Sequence, residues 1–147
     1  MSSDRLQFEI VTPDRLVLKE DVDELQIPGK SGYLGILPGH APLITELMVG
    51  ELSYRKDKIT HYLSVAGGYC EVLPDRVTLL AETAEKPEEI RVDRALASKE
   101  RAERRLADSQ NPDIDLDRAM VSLQRAVIRL QVSQKRTPAE QELWKKL

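Results

Sequence analysis

Gly32-Tyr33-Leu34-Gly35-Ile36-Leu37-Pro38-Gly39-His40-Ala41-Pro42-Leu43 is the stretch on which the reading of this chain turns. Two glycines frame a short apolar strand, which runs into a Pro-Gly-His-Ala-Pro loop. Glycine permits backbone angles or close approaches that a side chain forbids, and that is the expectation for Gly32 and Gly35. Pro38 and Pro42 lack the N–H that a sheet ladder needs, so they bracket a rigid loop. The segment offers no nucleophile, metal cluster or phosphate cradle. It reads as a shaped surface loop on a β domain, which places function in contact rather than in catalysis.

Strand signals surround it. Leu6, Phe8 and Ile10 alternate with polar residues, as in a half-buried strand. Leu16-Val17-Leu18 and Asp23-Glu24-Leu25-Gln26-Ile27 extend the pattern to a turn at Pro28-Gly29-Lys30-Ser31-Gly32. Hairpins are expected around Lys56-Asp57-Lys58 and Pro74-Asp75-Arg76, each flanked by β-rich runs. Gly67-Gly68 precedes a strand rather than a helix, so it reads as a strand turn and not as a phosphate loop. About nine or ten strands at this spacing imply a two-sheet sandwich or flattened barrel.

Composition narrows the classes. Hydrophobic residues make up 41% and charged residues 32% of the 147, the balance of a soluble folded protein. No apolar run approaches the roughly 20 residues of a membrane helix, so direct membrane insertion is not expected. The first residues lack the apolar core of a signal peptide. Cys70 is the single cysteine, which excludes an internal disulfide and reads as a small strand residue in a reducing compartment. The net charge of −3 divides unevenly: residues 1–90 hold 9 Lys/Arg against 16 Asp/Glu, and residues 91–147 hold 13 against 9. Two modules with different partners follow from that split.

Beyond the polar connector Ala84-Glu85-Lys86-Pro87-Glu88-Glu89 the period becomes helical. A first helix is expected from Val92 to Asp108 and a second from about Asp115, whose carboxylate caps free N–H groups. The second carries two seven-residue series, Leu116, Leu123, Leu130 and Ala119, Ala126, Ser133, a narrow coiled-coil-like seam. Ala95, Ala102 and Leu106 supply the matching stripe on the first. The short linker makes the pair an antiparallel hairpin. An alanine seam buries little area, so the hairpin opens at small cost and is a candidate switch. The fold class is α+β: a β sandwich in residues 1–88, then a helical hairpin with a C-terminal tail in residues 89–147.

Arginines stripe both helices. Arg94, Arg101 and Arg105 share one face of the first; Arg118, Arg125, Arg129 and Arg136 share one face of the second. Three readings stay open. The stripes are a solvated face with Glu100 and Glu103 as local partners, a cradle for a phosphate-like anion, or a docking strip for an acidic protein surface. Nucleic acid is disfavoured, because aromatics are scarce and the front half is acidic. No catalytic residue and no metal site is assigned: His40 and His61 are the only histidines, and neither lies in a ligand-spaced cluster.

Taken together, these segments resemble the epsilon subunit family of bacterial F-type ATP synthases. The Gly32–Leu43 segment is that family's most characteristic stretch. Ala66-Gly67-Gly68-Tyr69-Cys70-Glu71-Val72 and Val77-Thr78-Leu79-Leu80-Ala81-Glu82 resemble its next signatures. Lys99–Leu106 and Leu123–Leu130 match its helices, and the likeness covers roughly residues 6–133. It implies a ten-stranded sandwich plus hairpin in a non-catalytic subunit of the central rotor, peripheral on the cytoplasmic face of the bacterial plasma membrane. By the same likeness the sandwich contacts the gamma subunit and the ring of c subunits, with Tyr33 and His40 in the contact segment. The helices lie folded on the sandwich or extend toward the beta subunits, where Arg118, Arg125 and Arg129 would meet acidic segments and hinder ATP hydrolysis.

Some members of the family bind ATP through an Ile-Asp-x-x-Arg-Ala motif and arginines of both helices. Carried over, that site uses Glu85, Ile90, Arg94, Ala95, Arg101, Arg125 and Arg129. Arg91 stands where the motif has aspartate, replacing an acceptor with a cation. The expectation is weak ATP binding or none, with no cofactor required. The alternative to a rotor subunit is a free-standing anion- or nucleotide-sensing module.

Overall fold

A computed structural model describes residues 4–135. Eight strands, β1 (Leu6–Val11), β2 (Leu16–Val22), β3 (Glu24–Gly29), β4 (Gly32–Ile36), β5 (Leu43–Glu46), β6 (Gly50–Lys56), β7 (Ile59–Val72) and β8 (Arg76–Glu85), precede the helices. A 3-10 turn at Pro87–Glu89 leads into α1 (Val92–Ala107) and α2 (Leu116–Ser133). The sheet order is β2-β1-β8-β7-β6-β3-β4, with β5 paired to β7.

Eight strands replace the ten implied by resemblance, and the reason lies in β7 and β8. The first part of β7 pairs with β6 and its last part with β5. β8 pairs along much of β7, while its first half also pairs in parallel with β1. Each long strand therefore passes from one layer of the sandwich into the other. Gly67 and Gly68, with φ of +71° and +108°, supply the bend. They are not the turn expected between two strands; they are a kink inside one.

The core lies between the layers. Leu6, Phe8 and Ile10 from β1 meet Leu52 and Tyr54 from β6 and Leu63 and Val65 from β7. Phe8 and Tyr54 touch edge to face at 5.8 Å, joining strands that are not neighbours in the sheet. The Lys56–Ile59 hairpin closes through Asp57 and Lys58, both at positive φ, the two-residue geometry that matches strand twist. Leu73 and Arg76 exchange main-chain hydrogen bonds around the other expected turn. Gly32 has φ +121°, as the sequence suggests, whereas Gly35 has neither a positive φ nor a close neighbour.

In the helices, Ala95 and Ala102 of α1 and Ala119 and Ala126 of α2 are buried. The leucine series is not: Leu116 is exposed and Leu123 and Leu130 are half-buried. Close approach through alanines pushes the longer side chains to the rim of the seam. Asp115 accepts from the Arg118 main-chain N–H at 3.1 Å, the expected cap, while Arg91 gives α1 no side-chain cap. Arg136 and the tail Thr137–Leu147, including Leu143 and Trp144, lie outside the described residues.

Candidate interaction site

The hairpin lies folded on the sandwich, with α2 against β6, β7 and the 3-10 turn. Ion pairs of complementary charge bridge the two. Arg129 forks onto Glu85 of β8, with Nε to Oε1 at 2.7 Å and Nη2 to Oε2 at 3.2 Å. One turn earlier, Arg125 reaches Glu82 of β8 at 3.4 Å. Farther along α2, Gln131 donates to Glu51 of β6 at 2.8 Å, and the Lys135 ammonium lies 2.5 Å from the same carboxylate. Arg15 pairs with Glu89, pinning the connector to the start of β2. The acidic front and basic back, read from sequence as two modules with separate partners, meet each other.

The backbone prepares these contacts. Glu82 lies over Gly67, where an added Cβ would sit 2.6 Å from its Oε2. The glycine thus clears the space through which the Glu82 carboxylate reaches Arg125. A cleft of about 500 Å³ opens between α2 and the sheet, lined by Glu82, Glu85, Arg125, Arg129, Ser98 and Arg15 among others.

Of the residues carried over for nucleotide binding, Glu85, Arg125 and Arg129 come together in this cleft. The others do not line it. Ile90 and Ala95 are buried, Arg94 is exposed, and Arg101 donates to Ser98 of its own helix at 3.2 Å. Arg91 folds onto Asp93, with nitrogen–oxygen distances of 3.2 and 3.0 Å. That guanidinium, followed by the Arg94 main-chain N–H, holds the Asp93 carboxyl below its ordinary value. Arg118 is exposed.

The Gly32–Leu43 segment takes a defined shape. Gly39 donates to the Pro74 carbonyl at 2.7 Å, tying the loop to the β7–β8 turn. His40 Nδ1 lies 2.7 Å from the Ala41 carbonyl oxygen. Tyr33 is 59% exposed, yet its hydroxyl accepts from the Glu51 main-chain N–H at 3.1 Å. An apolar row also crosses the outer face of the sheet, where Leu80 pairs with Tyr69 and through Val11 approaches Leu16. Leu80 and Tyr69 are 58% and 60% exposed, and the exposed Ile44 on β5 stands opposite Glu71, diagonal to Tyr69. Sequence reading missed it, because alternation shows that one face is outward without showing which outward residues adjoin. Cys70 is buried, and desolvation, reinforced by Glu71, pushes its thiol up to about 12.

Among the described residues no group of three or more His, Cys, Asp and Glu is placed to hold a metal, and no helix is long and apolar enough to cross a membrane. The fold is that of a β sandwich with an exposed apolar row and a helical hairpin folded back on it through ion pairs. Residues 5–87 match the family model described as ATP synthase, Delta/Epsilon chain, beta-sandwich domain, and residues 88–134 the one described as its long alpha-helix domain. The chain belongs to the ATP synthase delta/epsilon family, and its bacterial relatives are epsilon chains. The ATP synthase epsilon chain of Koribacter versatilis is 63% identical over 107 residues, 73% of this chain and 75% of that one. That of Syntrophobacter fumaroxidans is 49% identical over 109 residues, 74% of this chain and 81% of that one. A chain of the Euglena gracilis mitochondrial ATP synthase OSCP/F1/c-ring structure superposes with TM-score 0.75 at 22% identity, covering 90% of this chain and 83% of that one, which shows the shared fold.

Proposed function

We propose that this protein is a non-catalytic subunit of the central rotor that couples ion flow to ATP synthesis and restrains ATP hydrolysis through its C-terminal helices. In this reading residues 1–88 dock on gamma and the c ring, and residues 89–147 are the regulatory arm. The complex lies on the cytoplasmic face of the bacterial plasma membrane. The apolar row Leu16–Leu80–Tyr69, with Ile44 diagonal to it, suits the gamma contact, and the Gly32–Leu43 segment carrying Tyr33 and His40 suits the ring and gamma.

One observation carries the regulatory part. Arg125 and Arg129 are neutralised by Glu82 and Glu85 in the folded arm, so opening the clasp bares a basic strip. Acidic segments of the beta subunits would offer the same carboxylate chemistry in competition. Deleting residues 91–147 leaves assembly intact and raises ATPase activity of the complex; unchanged hydrolysis removes the inhibitory role. Arg118→Glu is the cleaner point test, because Arg118 lies outside the clasp. It weakens inhibition without loosening the folded arm.

The cleft supports a second reading, a nucleotide-sensing arm. Phosphate oxygens would have to displace Glu85 from Arg129, and Arg91, Arg94 and Arg101 stand outside the cleft. ATP accordingly binds the isolated chain weakly or not at all. Calorimetry that returns micromolar affinity overturns this. Arg91→Asp restores an N-cap acceptor worth about 1 kcal/mol to α1 and is expected to strengthen any ATP binding that calorimetry detects.

A further inference from the structure

Glu51 joins two parts of the molecule that have no sequence relation. Strand β3 pairs with β6 through Gln26 and Ser53 and then diverges. Pro28 has no N–H, its carbonyl accepts from Met48 at 2.9 Å, and its ring crowds Gly50, where a Cβ would meet it at 2.7 Å. The Glu51 main-chain N–H therefore lacks a strand partner, and the Tyr33 hydroxyl accepts its hydrogen bond.

The side chain of the same residue holds α2. Its Oε2 accepts from Gln131, while Oε1 is buried without a well-directed hydrogen bond and depends on the charge of Lys135. The Lys135 ammonium also lies 4.7 Å from the centre of the Tyr62 ring. A carboxylate only 15% exposed, with one oxygen this dependent on a single cation, is sensitive to small movements of its own backbone.

We infer that Glu51 is a junction: what the Tyr33 ring does decides how firmly the C-terminal end of α2 is held. A partner that packs on the exposed ring and turns it removes the acceptor from the Glu51 N–H. Strand β6 then shifts at that residue, and the contacts to Gln131 and Lys135 move with it. The use of this coupling in the rotor rests on the function proposed above, which places Tyr33 at a partner surface. The coupling itself is a property of the isolated chain.

Amide hydrogen exchange on the full-length chain tests it, with Glu51→Gln, Tyr33→Phe and the double variant. Glu51→Gln raises exchange over residues 126–133 by about tenfold, and Tyr33→Phe by about threefold, although the Tyr33 hydroxyl bonds the main chain of β6. The double variant goes no further than Glu51→Gln, because a cut relay cannot be cut again. Amides of β1 and β8 keep their wild-type rates. Unchanged α2 exchange in Tyr33→Phe overturns the junction, as do additive effects in the double variant. A uniform rise across all strands also overturns it, since that reports general loss of the fold. ATPase of the assembled complex is read separately: inhibition that ignores a loosened α2 counts against the rotor brake, not against the junction.

Discussion

At Gly68 a single methyl group meets the main chain. An added Cβ would lie 2.0 Å from the Leu80 carbonyl oxygen, and φ is +108°. Neither obstacle yields without parting β7 from β8, so Gly68→Ala costs on the order of 4 kcal/mol. Gly32 is the control, with φ +121° and nothing within 4 Å of a Cβ. Gly32→Ala carries backbone strain alone, about 1–3 kcal/mol. Thermal melts of the two variants therefore separate clearly, with Gly68→Ala much the lower. The same scale shows what sequence could disclose about the site. The spacing of Arg125 and Arg129 was legible, because a helix fixes which residues share a face. Of their partners, Glu85 was grouped with them only through the family resemblance and Glu82 not at all, since they lie 44 and 43 residues away and only tertiary packing brings them near. Glu51 gave no signal at all: an acidic residue in an alternating strand looks like solvent-facing surface.

Among the elements, the hairpin tests how much its alanines matter. Ala95, Ala102, Ala119 and Ala126 are at most 2% exposed, so the helices touch through methyl groups. Ala126→Leu forces them apart at a cost of about 1–3 kcal/mol. It also lifts the face that carries Arg125 and Arg129. Hydrogen exchange should quicken across α1 and α2 while the sandwich strands stay protected. Equal loss of protection in the strands would show that hairpin and sheet fold as one unit. The span of α1 and the capped start of α2 were readable almost to the residue, because helical period and capping are local properties, whereas the Leu116–Leu123–Leu130 series did not form the seam. The strand count was not. A glycine pair reads as punctuation in sequence, and only its cross-strand pairing shows that β7 continues through it.

For the whole molecule, attraction between an acidic sheet and a basic arm makes folding back sensitive to salt. The Arg125–Glu82 pair is open to solvent and the Arg129–Glu85 pair is less so. Raising ionic strength from about 0.1 M to about 1 M shortens the screening length from roughly 10 Å to roughly 3 Å. Protection of α2 should fall over that range, the Arg125 contact loosening before the Arg129 fork, while the apolar core is unaffected. An α2 that keeps its protection at high salt would mean that packing rather than charge holds the arm. The continuity of β8 has a mechanical consequence. Leu80 in the outer apolar row and Glu82 and Glu85 beneath the arm belong to one strand, threaded through both layers. A twisting load applied to the outer face is thus borne along a covalent main chain to the seat of the helices, with no sliding interface between them to absorb it.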